Sequence, residues 1–303
     1  MRRLTRDRHS GRPSWWGRLL RWLVVLLVVA GLACAGAVLV AGYRWRADSE
    51  ALRGQLRAQP PRVRAYVETE LANVPIPVSR FFRAVLRDGQ PIVTRADVTW
   101  DGQFNMGRPG ADDWRPFTAQ QRFVPGAPGM VWDARIRMAP GLGVLVRDGF
   151  VDGRGTMRGA VLGLVTVVSG AETPALATAA LQRYLAEAVW FPTALLPSQG
   201  VAWTAIDDRR ARATIRAGAV SAAVEFRFDG EGRAASMFVP DRLYDDGRTR
   251  PEPRPWQSRI LGYAVHDGLT VPTDAVVEWL LPAGAFAYWK ARPTAVAYAF
   301  ADR

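Results

Sequence analysis

The sequence has little of the chemistry on which most catalytic and metal sites depend. It contains one cysteine, Cys34, two histidines, His9 and His266, and one lysine, Lys290. Cys34 lies in an apolar run near the N-terminus, so the rest of the chain has no residue for disulfides, thiol catalysis or thiolate metal sites. His266 alone cannot form a histidine-rich metal centre. No metal and no cofactor are expected.

Sequence motifs for nucleotides and for common hydrolases are also missing. There is no glycine-rich phosphate loop and no G-x-S-x-G elbow. The net charge is +12, but seven arginines precede the first long apolar run and only one acid, Asp7, accompanies them. The remainder has no concentrated basic stripe, which argues against nucleic acid as a partner.

The apolar run from Trp22 to Tyr43 is free of charge for 22 residues, long enough to cross a hydrocarbon core of about 30 Å. The excess of arginine before it predicts a cytoplasmic basic tail at residues 1–21, by the positive-inside rule. The sequence therefore predicts a single-pass protein of the cytoplasmic membrane, with the bilayer as a partner through residues 22–43 and an extracytoplasmic C-terminal part.

Two alternatives to an uncleaved anchor remain open. A cleaved signal peptide has a shorter apolar core followed by small residues, and the run here continues to Val40. Lipidation of Cys34 is the other alternative, although Gly31 stands where leucine is usual.

Residues 44–90 are expected to form a helical stalk, interrupted at Pro60 and Pro61. From residue 91 to 303 a period of two predicts antiparallel strands. Met130, Trp132, Ala134 and Ile136 alternate with polar neighbours, and 211–215 and 222–228 repeat the pattern. Turns are expected at the Asp-Gly pairs, which begin at residues 88, 101, 148, 152, 229, 246 and 267.

One helix, residues 175–191, is predicted within this β-rich part and ends before Pro192. The fold class is therefore α+β: a strongly curved, half-barrel-like antiparallel sheet with one central helix, preceded by a transmembrane helix and a short helical stalk. The polar segment 240–255 is predicted to be a loop.

The abundant tryptophan and methionine suit an irregular apolar ligand, although large aromatic side chains also fill the cores of curved sheets. The predicted ligand-binding residues are Met130, Trp132, Tyr184, Trp190, Phe191, Leu195 and Trp203.

Three residues are candidates for acid-base catalysis. Glu187 and Asp133 are embedded among aromatic residues, where the pKa of a carboxyl group rises, and His266 lies beside an Asp-Gly turn. The alternative for Glu187 is an ion pair with Arg183, one helical turn earlier.

Several long phrases resemble an uncharacterised bacterial family with a single domain of unknown function, often behind a membrane segment. They are "VPIPVSRFFRAVL", "WRPFTAQQRFV", "GMVWDARIRMAPGLGVLVRDGFVDGRG", "RYLAEAVWFPTALLP" and "HDGLTVPTDAVVEWLLPAGAFAYW". The resemblance covers roughly residues 74 to 300 and implies no activity.

The late region with Tyr263, Gly268 and Pro272 is similar to periplasmic lipoprotein carriers (LolA/LolB-like proteins). That resemblance implies a curved half-barrel closed by helices, with an apolar cavity for acyl chains. The leading hypothesis is a membrane-anchored, non-enzymatic cell-envelope domain that binds a lipid or another apolar, lipid-linked ligand. The alternatives are an envelope hydrolase that uses carboxylates and a scaffold that binds an envelope protein.

Overall fold

The computed structural model describes residues 15–57, 59–170, 172–245 and 250–302. Most of the predicted basic tail and the Asp-Gly pair at 246 lie outside these residues. The α-helices within them are α1 (Trp15–Gln55), α2 (Ile76–Val85) and α3 (Pro174–Glu187). Short 3-10 helices occur at Glu68–Asn73, Ala188–Trp190, Pro192–Leu195 and Pro197–Gln199.

The first six strands precede α3 and the remaining seven follow it. They are β1 (Val93–Asn105), β2 (Trp114–Val124), β3 (Gly129–Ala139), β4 (Leu142–Val151), β5 (Arg154–Val161), β6 (Val165–Ser169), β7 (Ala202–Asp207), β8 (Arg210–Ala217), β9 (Val220–Phe228), β10 (Ala234–Tyr244), β11 (Glu252–His266), β12 (Leu269–Leu281) and β13 (Gly284–Phe300).

All of these strands form one curved antiparallel sheet, in the order β6-β5-β4-β3-β2-β1-β13-β12-β11-β10-β9-β8-β7. The sheet is not closed: β6 and β7 are its two edges, and the segment between them carries α3. Pairing of β1 with β13 joins the two halves. The predicted α+β class with a curved antiparallel sheet is confirmed.

Alternation along the strands separates an inner face, which packs against α3, from an outer face. Trp132, Ala134 and Ile136 of β3 are buried, whereas Arg135 and Arg137 are exposed. The inner face, α2, α3 and the turns after α3 share one hydrophobic core. The period of two in the sequence thus reports directly which side chains enter that core.

Two of the Asp-Gly pairs lie inside strands, so the expectation of turns there is wrong. Gly102 is within β1, where a Cβ atom would lie 2.2 Å from the carbonyl oxygen of Lys290. That glycine is required by the close approach of β13 rather than by a turn. The pair at 148 lies within β4, while those at 152 and 267 do form turns.

The helix α1 continues without a break from the apolar run into the domain. Its first part is exposed and is long and apolar enough to cross a membrane. Trp45, Ser49 and Arg53 are buried, on the side of α1 that lies on the outer face of β3 and β4. The hydrogen bond from Trp45 Nε1 to Asp133 Oδ1, 3.0 Å long, fixes this part of α1.

The segment 44–90, expected to be a helical stalk interrupted at Pro60 and Pro61, is only partly helical. Residues 62–67 contain no α-helix, because Tyr66 N donates to Gln90 O and Ile92 N donates to Arg64 O, which pairs this segment with the residues before β1. Phe81 and Phe82 of α2 are fully buried in the core. From Tyr66 onward the segment is part of the packed domain.

The predicted helix at 175–191 exists but ends earlier, at Glu187. Thr173 caps its start by accepting a hydrogen bond of 3.2 Å from Leu176 N. Pro192 disfavours the α conformation at the residue before it. Phe191 accordingly adopts φ −143° and ψ 65°. The chain therefore continues through short 3-10 helices. The predicted loop 240–255 is also shorter, because β10 reaches Tyr244 and β11 begins at Glu252.

Candidate functional site

The packed interior between the inner face of the sheet and α3 contains most of the predicted ligand-binding residues. Met130, Trp132, Tyr184, Trp190, Phe191 and Leu195 are each at most 3% exposed, and Trp203 is half-buried. Trp190 Nε1 donates to Pro272 O at 3.2 Å, and Trp203 Nε1 donates to Leu195 O at 2.9 Å. The structure thus brings these side chains into one apolar interior.

Two arginines lie within this interior, and the first is fully paired. Arg183 of α3 forms ion pairs with Asp148 of β4 at 2.6 Å and with Glu187 at 2.8 Å. Burial alone lowers the pKa of Arg183, but the two carboxylates outweigh it and the pKa is raised. Its guanidinium also lies 5.0 Å from the ring centroid of Trp132. Arg183 is therefore a fixed cation held by two carboxylates.

The second arginine, Arg242 of β10, is also buried, and the charges of Asp148 and Glu187 act on it from beyond ion-pair distance. It is 8% exposed, donates from Nη1 to the carbonyl oxygen of Ala179 in α3, and lies 5.0 Å from the ring centroid of Trp256. Within the described residues it has no carboxylate at ion-pair distance, and its Nε has no hydrogen-bond partner. Burial lowers the pKa of Arg242.

Further buried polar atoms around this interior have no hydrogen-bond partner among the described residues. They are Trp132 Nε1, Trp289 Nε1, Tyr184 Oη and Gln182 Oε1. Buried polar groups in native proteins are nearly always paired, with protein, with water or with a bound molecule. Together with the Nε of Arg242 they show that the described protein groups do not satisfy every polar atom of the interior.

A chain of aromatic residues continues from Arg242 through the buried Trp256 to the half-buried Tyr288, Phe104 and Trp279. Trp256 Nε1 donates to Tyr288 Oη at 3.0 Å, and Tyr288 contacts Phe104 and Trp279 with ring centroids 5.8 and 6.1 Å apart. Burial raises the pKa of Tyr288, so it stays neutral. These neutral aromatic rings suit the apolar part of a ligand.

The three candidates for catalysis do not come together. Glu187 faces the interior, where it accepts a hydrogen bond of 2.6 Å from Gln121 Nε2. Asp133 is on the opposite face of the sheet, bonded to Trp45 and to Ser49 Oγ of α1. His266 contacts the carbonyl oxygen of Val296 and the ring of Tyr298. The convergence that a hydrolytic site needs is absent among these residues, and Glu187 forms the alternative ion pair with Arg183.

Sequence reasoning missed Arg242, Asp148 and Tyr288. Arg242 lies in the segment interpreted as a polar loop, and nothing in its immediate sequence distinguishes a buried arginine from an exposed one. Asp148 was interpreted as a turn residue because glycine follows it. The i, i+4 spacing of Arg183 and Glu187 was the one available signal of this cluster.

Two open clefts lie apart from the interior. One, of about 440 Å³, is lined by Arg135, Arg137 and Leu142 among others, and the second, of about 190 Å³, lies between α1 and β5. Among the described residues no group of three or more metal-ligating side chains occurs.

A family model described as "Family of unknown function (DUF6544)" matches residues 64–291, so the chain belongs to that family. The comparison with curated proteins gives no match. Solved structures with some likeness include a LolA superfamily protein from Nitrosomonas europaea, at 13% identity and a TM-score of 0.34, covering 67% of this chain and 84% of the other.

Two further structures are similar at the same coarse level. A β-barrel-like DUF1849 protein from Brucella abortus has 8% identity and a TM-score of 0.22, covering 69% of this chain and 99% of the other. A porin-like protein from Bacteroides uniformis has 7% identity and a TM-score of 0.24, covering 69% and 96%. The LolA resemblance seen in the sequence thus recurs here, but at these scores it carries no argument about function.

Proposed function

We propose that this chain, as a member of that family of unknown function, is a membrane-anchored domain that binds a lipid or another apolar, lipid-linked ligand between α3 and the inner face of its sheet. In this proposal α1 anchors the chain in the cytoplasmic membrane with its N-terminus inside, and the sheet domain is extracytoplasmic. The positive charge ahead of the apolar run supports this orientation.

The observation that carries the proposal is the state of Arg242. A buried donor without an acceptor is unfavourable, and within the described residues the Nε of Arg242 has no hydrogen-bond partner. An anionic or strongly polar group of a ligand would supply both the charge and the acceptor. Trp132 Nε1 and Trp289 Nε1, which are also unpartnered, are donors of the same kind.

The surrounding side chains suit the apolar part of such a ligand. Met130, Trp132 and Phe117 line the inner face, and Phe104 and Trp279 form its half-buried rim. Binding sites for small molecules combine a mostly apolar wall with a few polar groups that fix orientation. Arg242 would fix the head of the ligand, while the aromatic residues surround its chain.

The test is native mass spectrometry of the full chain purified from membranes in mild detergent. We expect a retained lipid-sized molecule, and we expect Arg242→Gln to retain roughly tenfold less, because a hydrogen bond to a charged group contributes about 1.5–3 kcal/mol. Arg242→Lys should keep part of the signal.

The matched control is Arg227→Gln, which changes an exposed arginine of the neighbouring strand β9 and should leave retention unchanged. Thermal unfolding of each variant verifies the fold. A wild-type chain that carries no molecule, or equal retention by Arg242→Gln and Arg227→Gln, would refute the proposal.

A further inference from the structure

The turn between β5 and β6 has unusual chemistry for its conformation. Leu162 and Gly163 have φ values of +52° and +74°, and Leu164 N donates to Val161 O at 2.9 Å. A left-handed residue at the first central position of such a turn is normally Asn, Asp or Gly. For other residues the left-handed conformation costs about 1–2 kcal/mol.

The same chain uses the usual residue in its other turns of this kind. Within the described ranges, the remaining non-glycine residues with positive φ are Asp152 and Asp267, each at +49° and each followed by glycine. Asp152 lies at the opposite end of β5. The conformation of the turn therefore does not explain a leucine at position 162.

Apolar side chains continue from this turn along the edge strand. Leu164, Val165, Val167 and Val168 are 47%, 62%, 54% and 42% exposed. The neighbouring turn between β3 and β4 adds Leu142, 41% exposed, and the two turns are joined by the hydrogen bond from Leu162 N to Gly143 O at 2.9 Å. Exposed apolar side chains gathered at one edge of a sheet indicate an interaction surface.

The apolar run of α1 passes close to this turn. A Cβ atom at Gly163 would lie 3.4 Å from atoms of Ala41. Ala41 is two residues before Tyr43, where the apolar run ends. Two residues correspond to about 3 Å along the helix axis. Val38, Ala41 and Gly42 are partly buried, and Trp45 and Ser49 are bonded to Asp133 of the sheet. The turn is thereby held level with the end of the membrane-crossing segment.

We propose that the β5–β6 turn and the edge strand β6 dock into the surface of the lipid bilayer. Leu162, Leu164 and Leu142 enter the interfacial region, where apolar side chains gain free energy by leaving water. Arg135 and Arg137, in the open cleft beside Leu142, face the headgroups and favour anionic lipids. This inference rests on the proposed membrane anchor, and the test separates the two.

The test uses the full chain in nanodiscs of phosphatidylcholine and phosphatidylglycerol. Single cysteines at Leu164 or Leu142, in a Cys34→Ala background, carry an environment-sensitive fluorophore, and lipids with a shallow spin label act as quenchers. We expect at least threefold stronger quenching at either position than at Arg154→Cys. Arg154 is the exposed first residue of β5, about 23 Å along the strand from Val161.

A second variant tests the turn itself. Leu162→Asp gives this turn the Asp-Gly sequence found at 152 and 267, so the melting temperature in detergent should be unchanged or higher. The quenching of the label at Leu142 should decrease. Replacing phosphatidylglycerol by phosphatidylcholine should lower that quenching as well.

Native Cys34, labelled in the otherwise unchanged chain, reports the anchor. If deep spin labels quench Cys34 while Leu142 and Leu164 behave like Arg154, the docking proposal is wrong and the anchor stands. If Cys34 is not quenched, both fail. Shielding of Leu164 from a water-soluble quencher without lipid quenching would assign β6 to a protein partner and overturn the proposal.

Discussion

Tyr184 and Tyr263 are two buried tyrosines with opposite hydrogen-bonding states. The hydroxyl of Tyr263 donates to Ala234 O at 2.7 Å, whereas that of Tyr184 has no partner in the described structure. Burial raises the pKa of both side chains, so both are neutral at ordinary pH. Tyr184 lies in the interior that we propose for the ligand. The effect of removing its hydroxyl on the free energy of unfolding therefore reports whether that group is unsatisfied.

We predict opposite effects of removing these two hydroxyl groups. Tyr263→Phe should lower the free energy of unfolding by about 1 kcal/mol, the usual contribution of one hydrogen bond. Tyr184→Phe should leave it unchanged or raise it by up to about 1 kcal/mol, because an unsatisfied buried group is removed. Thermal unfolding of the full chain, freed of bound molecules by detergent exchange, measures both. A loss at Tyr184 as large as that at Tyr263 would contradict the prediction.

Local spacing predicts some of these contacts and leaves others hidden. The Arg183–Glu187 ion pair follows from residues one helical turn apart. The partners of Asp133 do not follow from local spacing, because Trp45 is 88 residues away in the sequence. From the sequence alone, an aspartate among aromatic residues is equally consistent with a catalytic acid. The buried state of Arg242 is likewise set by strands and a helix that the sequence does not place side by side.

At the scale of elements, the docked end of α1 joins the membrane segment to the sheet. Ser49 Oγ donates to Asp133, and Arg147 Nη1 donates to Ser49 Oγ at 3.0 Å. The guanidinium of Arg147 lies 4.7 Å from the ring centroid of Trp45. Burial lowers the pKa of Arg147, and the charge of Asp133 opposes that shift. Asp133 is thus the structural centre of this contact.

Replacing Asp133 by alanine should release the docked end of α1. It removes the acceptor of the hydrogen bonds from Trp45 Nε1 and Ser49 Oγ, and each buried donor left unsatisfied costs about 1–3 kcal/mol. Hydrogen exchange of residues 45–55 should then accelerate by roughly 100-fold or more, at 1.4 kcal/mol per tenfold.

Asp101→Ala, on an exposed position of β1, is the matched control and should leave that exchange rate unchanged. Protection of residues 45–55 that survives Asp133→Ala would show that apolar contacts alone hold α1 on the sheet.

The elements that periodicity predicts are those with one buried face. The strand at 129–139 and the helix α3 follow from alternation and from the helical period, because burial of one face requires those patterns. These sequence patterns fail to predict the structure where contacts with neighbouring segments determine the backbone conformation. Gly102 follows aspartate in the manner of a turn, yet it lies within β1 because β13 approaches too closely for a side chain. Residues 62–67 follow a helical period, yet they pair with the segment before β1.

For the whole molecule, the order of strands in the sheet is the feature that the sequence could not supply. Antiparallel hairpins were expected, but pairing of β1 with β13 joins residues about 200 positions apart in the sequence, such as Val93 and Phe300. That pairing leaves β6 and β7 as edges and sets α3 between them. The interior around Arg242 exists only because both halves of the chain contribute to it.

The central claim is that an apolar ligand occupies this interior, and photo-cross-linking tests it most directly. The full chain is incubated in nanodiscs with a phospholipid that carries a diazirine in its acyl chain, and the cross-linked residues are mapped by peptide mass spectrometry. We predict adducts on inner-face positions such as Met130 and Trp132 and on α3, reduced in Arg242→Gln but unchanged in Arg227→Gln. Adducts confined to α1 and to the turn at 162–165 would contradict the account, because they would place lipid only at the membrane surface.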